Sequence, residues 1–388
     1  MSVSTFIKAK PVVVASILGA SAFAACTLDY PLEERTLADT TPLVVQRPID
    51  FLFVVDNSAS MQEEQAALYR SVFDERCPIT DVRRVPTELQ NPDRPTFDEL
   101  ADVCGIAQLM AAMGSDYHIG VVATDVGNYD ERLSSAQDLD NSHEQLPMRA
   151  CLQGKGLITR NDDIAVDFRD AVIGLGTWGS SIERGLDAME VFLDPDSRRA
   201  PGCENDLDGF LRGNGQLMVV FVTDEDDCSH RDGSTGFPDE LADEPREPGE
   251  WFELSRSDPG ACYARSNELA SVASYRDVLT KLIADRRTTD VFVSVVAGLR
   301  DDGAGLNAGA CIGRDDGSID GACLAALGTS NSCAPGQECC TADSGSRYVE
   351  LARAINADSL LGSICSDDFR QPLMPLFSIG RLGGDDVF

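Results

Sequence analysis

The sequence is short of the residues from which familiar active sites are built. Its three histidines, at 118, 143 and 230, form no close pair, which excludes an H-E-x-x-H helix and a His-rich zinc site. No G-x-S-x-G occurs, and the nearest approach to a P-loop fails because Lys155 is followed by Gly156. The cysteines show no repeated C-x-x-C of the kind that holds structural zinc. Basic residues are scarce too. Lys and Arg number 32 against 65 Asp and Glu, and the formal charge of -33 repels nucleic-acid phosphates and anionic lipid headgroups. Beyond residue 25 no run reaches 18 apolar residues, so no membrane span is expected in the remainder.

What is present is ordinary globular material. The 388 residues are 43% hydrophobic and 25% charged, enough for one large domain or two smaller ones around a sizeable core. The first 25 residues read as a signal peptide: Lys8 and Lys10 supply a positive start, and 12–25 form an apolar stretch of secretory length. The stretch ends Phe23-Ala24-Ala25-Cys26, which resembles a bacterial lipobox with Cys26 as the lipidated residue. The same residues also suit a plain secretory cleavage site. Cysteine parity favours lipidation. Of thirteen cysteines, setting Cys26 aside leaves twelve, an even set suited to as many as six disulfides in an exported chain. Residues 26–46, with Pro31, Pro42 and no helical period, read as a lipid-anchored tether, the only contact expected with a membrane.

The folded part is expected over 47–388. Near-continuous apolar, β-branched runs at 49–55, 118–123, 217–222 and 291–297 predict strands buried on both faces. Helix-compatible stretches lie between them at 62–73, 96–113, 180–192 and 264–286. Strands alternating with helices predict an α/β fold, a doubly wound, mostly parallel sheet with helices on both faces. Its ligand site belongs beyond the carboxyl ends of the strands. The polar motifs fall there. Asp56-Asn57-Ser58-Ala59-Ser60 follows the first strand, Thr223-Asp224 ends the third, and Gly176-Thr177 precedes a helix. The hydroxyls of Ser58, Ser60 and Thr177 and the carboxylates of Asp56 and Asp224 are hard oxygen donors, suited to octahedral Mg²⁺ or Mn²⁺, with Ca²⁺ a further candidate.

In these residues the chain resembles a von Willebrand factor type A domain, and they match its metal-ion-dependent adhesion site. The resemblance covers about 47–300 and a helical part near 347–377. It implies that Ser58 and Ser60 ligate the metal directly, Thr177 directly or through water, and Asp56 and Asp224 largely through water. Neutral hydroxyls leave the cation under-neutralised, so a partner carboxylate is recruited. Insertions at about 125–150, 225–262 and 298–346 would surround that edge with disulfide-stapled loops. The expected function is divalent-cation-dependent binding of a protein or other carboxylate-bearing macromolecule, on the bacterial cell envelope and without catalysis. Two alternatives stand beside it: an envelope structural or assembly factor with a vestigial metal site, and a metal-dependent phosphohydrolase using Asp56.

Three further motifs carry weaker readings. Gly174 to Gly179 fits G-x-G-x-x-G, with 171–173 as the strand before it, but leaves little room for the rest of a dinucleotide unit. The run from Glu204 to Gly209 hints at a calcium loop whose twelfth position is Gly215 rather than Glu. The acidic run 224–227 reads as a solvated loop rather than a second cation site.

Overall fold

The computed structural model describes residues 47–58, 60–83, 100–112, 114–124, 126, 150–177, 183–194, 203, 206–207, 209–229, 262, 269–301, 306–307, 342, 345–356, 360–364, 366 and 368–374, all within one compact unit, Val45–Phe388. The signal peptide, Cys26, the tether and most of the three expected insertions lie outside the described residues.

The fold is mixed α/β. The strands are β1 (Ile49–Val55), β2 (Tyr117–Ala123), β3 (Ile158–Thr159), β4 (Gln216–Val222), β5 (Asp290–Ala297), β6 (Arg300–Asp301), β7 (Leu306–Asn307) and β8 (Leu360–Ser363). The helices are α1 (Gln62–Val72), α2 (Ile106–Ala112), α3 (Ile164–Ile173), α4 (Gly185–Leu193), α5 (Val272–Ala284) and α6 (Ser346–Ile355). Six strands form one sheet in the order β3-β2-β1-β4-β5-β8, and β6 pairs with β7 apart from it. All pairings in the sheet are parallel except the short β3, which runs antiparallel to β2. Register aligns Val55 with both Ala123 and Val222, and Val222 with Val296, so the carboxyl ends of β1, β2, β4 and β5 share one edge.

Continuous hydrophobicity is what places β1 at the centre. Successive side chains on a strand point to opposite faces. Phe51, Phe53 and Val55 join a core with Leu68 of α1, Leu109 of α2 and Phe168 of α3. Leu52 and Val54 join a second core with Met189 of α4, Leu279 of α5 and Leu351 of α6. Burial of each such side chain contributes about 1.5–3 kcal/mol, so a strand apolar on both faces gains most between two packed layers.

Several expectations change. The stretch 96–113 is not one helix, since α2 spans only Ile106–Ala112 and 102–105 are not helical. The helix expected from 264 is α5, which begins at Val272. Residues 171–173 are the last turn of α3 and not a strand, so Gly174 to Gly179 follows a helix and the dinucleotide fingerprint loses its context. The helix expected from 180 begins at Gly185, with Glu183 and Arg184 outside it. The part near 347–377 is not all helical: α6 gives way to β8, and 368–374 then run as a strap against the first helices. Phe369 is buried and donates its N–H to Ser71 Oγ on α1 at 2.8 Å. Arg370 Nη1 reaches Ala101 O at 3.2 Å and Cys104 O at 3.3 Å.

Three disulfides join Cys77 to Cys104, Cys151 to Cys203, and Cys228 to Cys262. Among the described residues, no helix is long and apolar enough to cross a membrane.

Candidate metal centre

The two edges of the sheet treat buried charge differently. At the amino edge, Asp50 is fully buried but well supplied. Its Oδ2 accepts Arg212 N–H at 2.9 Å and its Oδ1 accepts Arg212 Nε at 2.6 Å. At the carboxyl edge, among the described residues, no guanidinium answers Asp56 or Asp224. There the strand order turns back on itself, β1 leading to β2 on one side while β4 lies on the other. The ends of β1 and β4 are adjacent, and Asp56 N–H donates to Val222 O at 2.9 Å, extending their pairing.

Asp56 is fully buried, and both its carboxylate oxygens are engaged by the chain. Oδ1 accepts Ser58 N–H at 2.6 Å, and Oδ2 accepts Thr223 Oγ1–H at 2.7 Å. Ser58 and Ser60 lie with their hydroxyl oxygens 3.1 Å apart. A helix-cap role would give these serines an ordinary explanation. The cap position of α1 is instead Met61, and no side chain caps the helix. Ser58 is buried and Ser60 exposed, so the paired hydroxyls run from the interior to the surface.

Asp224 is buried, and its Oδ1 is out of water with no hydrogen-bond donor. A lone carboxylate oxygen in that position carries an uncompensated desolvation cost. Burial pushes the Asp224 carboxyl up, and the Ser60 hydroxyl nearby works against the rise. Burial also lifts Asp56, to about 7, and the neighbouring Asp224 carboxylate adds to the shift. Two buried carboxyl groups side by side, both displaced upward, are a place where positive charge is missing.

Thr177 is half-buried in the turn after α3, preceded by Gly176, whose φ of 69° favours glycine. The described contacts attach this turn to the others through Gln65 on α1. Gln65 Nε2 donates to Gly176 O at 2.9 Å and to Asp56 O at 3.3 Å. The structure thus brings Asp56, Ser58, Ser60 and Asp224 together directly, and the Thr177 turn to them through one buried amide.

Two participants escaped the sequence reading. Gln65 looks like any polar residue of a helix; only its burial reveals a task. Glu64, four residues after Ser60, has a buried Oε2 without a donor, and burial together with the Asp224 carboxylate raises its carboxyl. Local spacing offers no signal for it, since Ser60 lies before α1 and an acidic residue in a first helical turn is ordinary.

The acidic run after β4 is not a solvated loop. Asp226 and Asp227 are buried, and Asp227 is surrounded by donors: Leu186 N–H at 3.1 Å, Ser229 Oγ–H at 2.7 Å and Arg347 Nε at 2.9 Å. Arg347, itself buried on α6, also donates to Ser229 O and Ala270 O. An adjacent set joins Arg184 and Tyr275 to Asp187. Glu183 accepts the hydroxyl of Thr124 at the end of β2. Fixed positive charge already compensates Asp227, which removes the reason for a cation there.

Among the described residues, one other group could hold a metal by proximity. Atoms of Cys151, Cys203 and Asp206 lie within 4.8 Å of one another. The two sulfurs are bonded to each other, and Asp206 Oδ2 accepts Leu152 N–H at 2.7 Å, so the group makes a stapled turn without thiolates.

No protein-family model matches this chain, and no curated protein matches it.

Proposed function

We propose that this protein is an exported binding module of von Willebrand type A kind, doubly wound, which engages its partner through a divalent cation held by Asp56, Ser58, Ser60, Thr177 and Asp224. The observation that carries the reading is the buried, donorless Oδ1 of Asp224 beside the Asp56–Ser58–Ser60 turn. The donor set is all hard oxygen, which suits Mg²⁺ or Mn²⁺. A bound cation would supply an electrophilic position for a carboxylate of the partner. The chain's own part is preorganisation. Thr223 Oγ1–H and Ser58 N–H fix the Asp56 carboxylate, and the serine pair offers neutral oxygens from the buried Ser58 out to the exposed Ser60.

The same contacts speak against a phosphohydrolase. A nucleophilic carboxylate needs an oxygen that can approach substrate, whereas Asp56 is fully buried with donors on both oxygens. Three disulfides among the described residues suit an oxidising compartment, and lipidation at Cys26 would anchor the module to the envelope.

The test is thermal unfolding with Mg²⁺ or Mn²⁺ and with chelator. A ligand bound only by the folded state raises Tm. Metal is expected to raise it in the wild type and not in Asp56→Ala; an equal rise in both would remove the site assignment. Phosphatase assay of the purified protein separates the hydrolytic alternative.

A further inference from the structure

We infer that Gln65 is the positioning residue of the metal centre, fixing Thr177 against the Asp56–Ser60 turn; this rests on the proposed metal site. Thr177 and the two serines belong to segments far apart in sequence, and the Gln65–Gly176 bond spans 111 residues. None of the three disulfides among the described residues links those segments. Gln65 does so with one nitrogen, whose two hydrogens match the two carbonyls it contacts, Asp56 O at 3.3 Å and Gly176 O at 2.9 Å. Each carbonyl is adjacent in sequence to the centre: Asp56 is itself in the donor set, and Gly176 precedes Thr177 directly. The residue is 2% exposed. An amide buried to that extent keeps its place by hydrogen bonding, and these two bonds end on Asp56, a member of the donor set, and on the residue before Thr177.

The amide nitrogen therefore acts as a gauge. Without it the Gly176 carbonyl loses its described partner on α1, and the Thr177 hydroxyl is no longer held at a set distance from Ser58 and Ser60. Supporting residues of this kind typically change metal affinity by about 10- to 100-fold when removed. A glutamate at 65 would keep the length but turn an oxygen toward two carbonyl oxygens. Methionine keeps the length with neither donor nor charge, and is the cleaner substitution.

The experiment measures Mn²⁺ affinity by titration calorimetry on the full chain, for wild type, Gln65→Met, Thr177→Val and the double variant, with Tm in chelator recorded for each. Gln65→Met is expected to weaken Mn²⁺ binding about tenfold. Because it acts through Thr177, the double variant should bind no worse than the weaker single one. A residue that merely supports the fold would lower Tm in chelator and leave the affinity alone. Mn²⁺ affinity within about twofold of wild type, or losses that multiply in the double variant, would overturn the inference. If Gln65→Met does not fold, Gln65→Asn is judged by the same criteria, since its shorter amide cannot span both carbonyls. A wild type that binds no Mn²⁺ overturns the metal site and this inference with it. A responsive wild type with an indifferent Gln65→Met overturns this inference alone.

Discussion

At Asp56, burial and the neighbouring negative charge pull in one direction, against the hydrogen bonds from Ser58 and Thr223. Burial, with the Asp224 carboxylate second, raises its carboxyl from 3.8 to about 7. The folded state thus holds a proton more tightly than the unfolded one. Its contribution to metal-free stability is full below about pH 4 and is lost as pH rises towards 7. A cation takes the place of that proton, so the gain in Tm from Mn²⁺ should be larger at pH 7.5 than at pH 5.5. Calorimetric scans at both pH values check this, and an equal gain would mean the buried carboxylates are not what the metal meets. At this scale the sequence was legible where the signal is local: Asp56, Ser58 and Ser60 are spaced by a single turn. It was mute where the task is set by contacts far along the chain. Gln65 gains its significance from Gly176, and Asp227 ceases to be a solvent-facing acid only because Arg347 arrives from α6. No pattern within a few residues of either position records those encounters.

Among the elements, β1, β2, β4 and β5 were predicted to within a residue at their ends because each is a long apolar run enclosed on both faces. The strands β3 and β8, of two and four residues, were missed; edge pairing with a long neighbour decides them more than their own composition. The helix α3 was missed, and its end, Ala171-Val172-Ile173, is a plausible strand fragment when read alone. The helix α6 owes its seat to a buried ion pair. Arg347 and Asp227 side chains are 1% and 0% exposed, and removing one partner from such a pair strands the other in the interior. Arg347→Met is therefore expected to cost about 3–5 kcal/mol, measured by urea unfolding. A loss under about 1 kcal/mol would mean that the carboxylate finds water or another donor.

For the whole molecule, the charge of -33 offers a rival explanation of any binding to a basic partner. Attraction between surface charges is screened within about 8 Å at physiological ionic strength, so it should fall steeply with salt and ignore chelator. Binding through the proposed centre should survive moderate salt, vanish with chelator, and be lost in Ser60→Ala, which removes an oxygen without altering net charge. Indifference to chelator and to Ser60→Ala, with loss in salt, would defeat the adhesion mechanism even with the fold intact. The disulfides add a second test at this scale. The Cys228–Cys262 bond closes a loop of 34 residues directly after the Asp224 turn. In the chain-entropy picture a loop of that size stabilises by about 3–4 kcal/mol, so the double Cys→Ala variant should show that loss in urea titration. The strap at 368–374 has a consequence in time as well as in space. Its Phe369 closes on Ser71, 298 residues upstream, while β1, which just precedes that serine, must wait for β4 before its second neighbour exists. Contacts so distant along the chain form late, because the loop between them must close first. A chain delivered amino end first, from a ribosome or across a membrane, therefore cannot complete its first helix's surroundings until nearly all of it has emerged. Until then the first helix lacks part of its packing, and the amino-terminal half alone is not a finished domain.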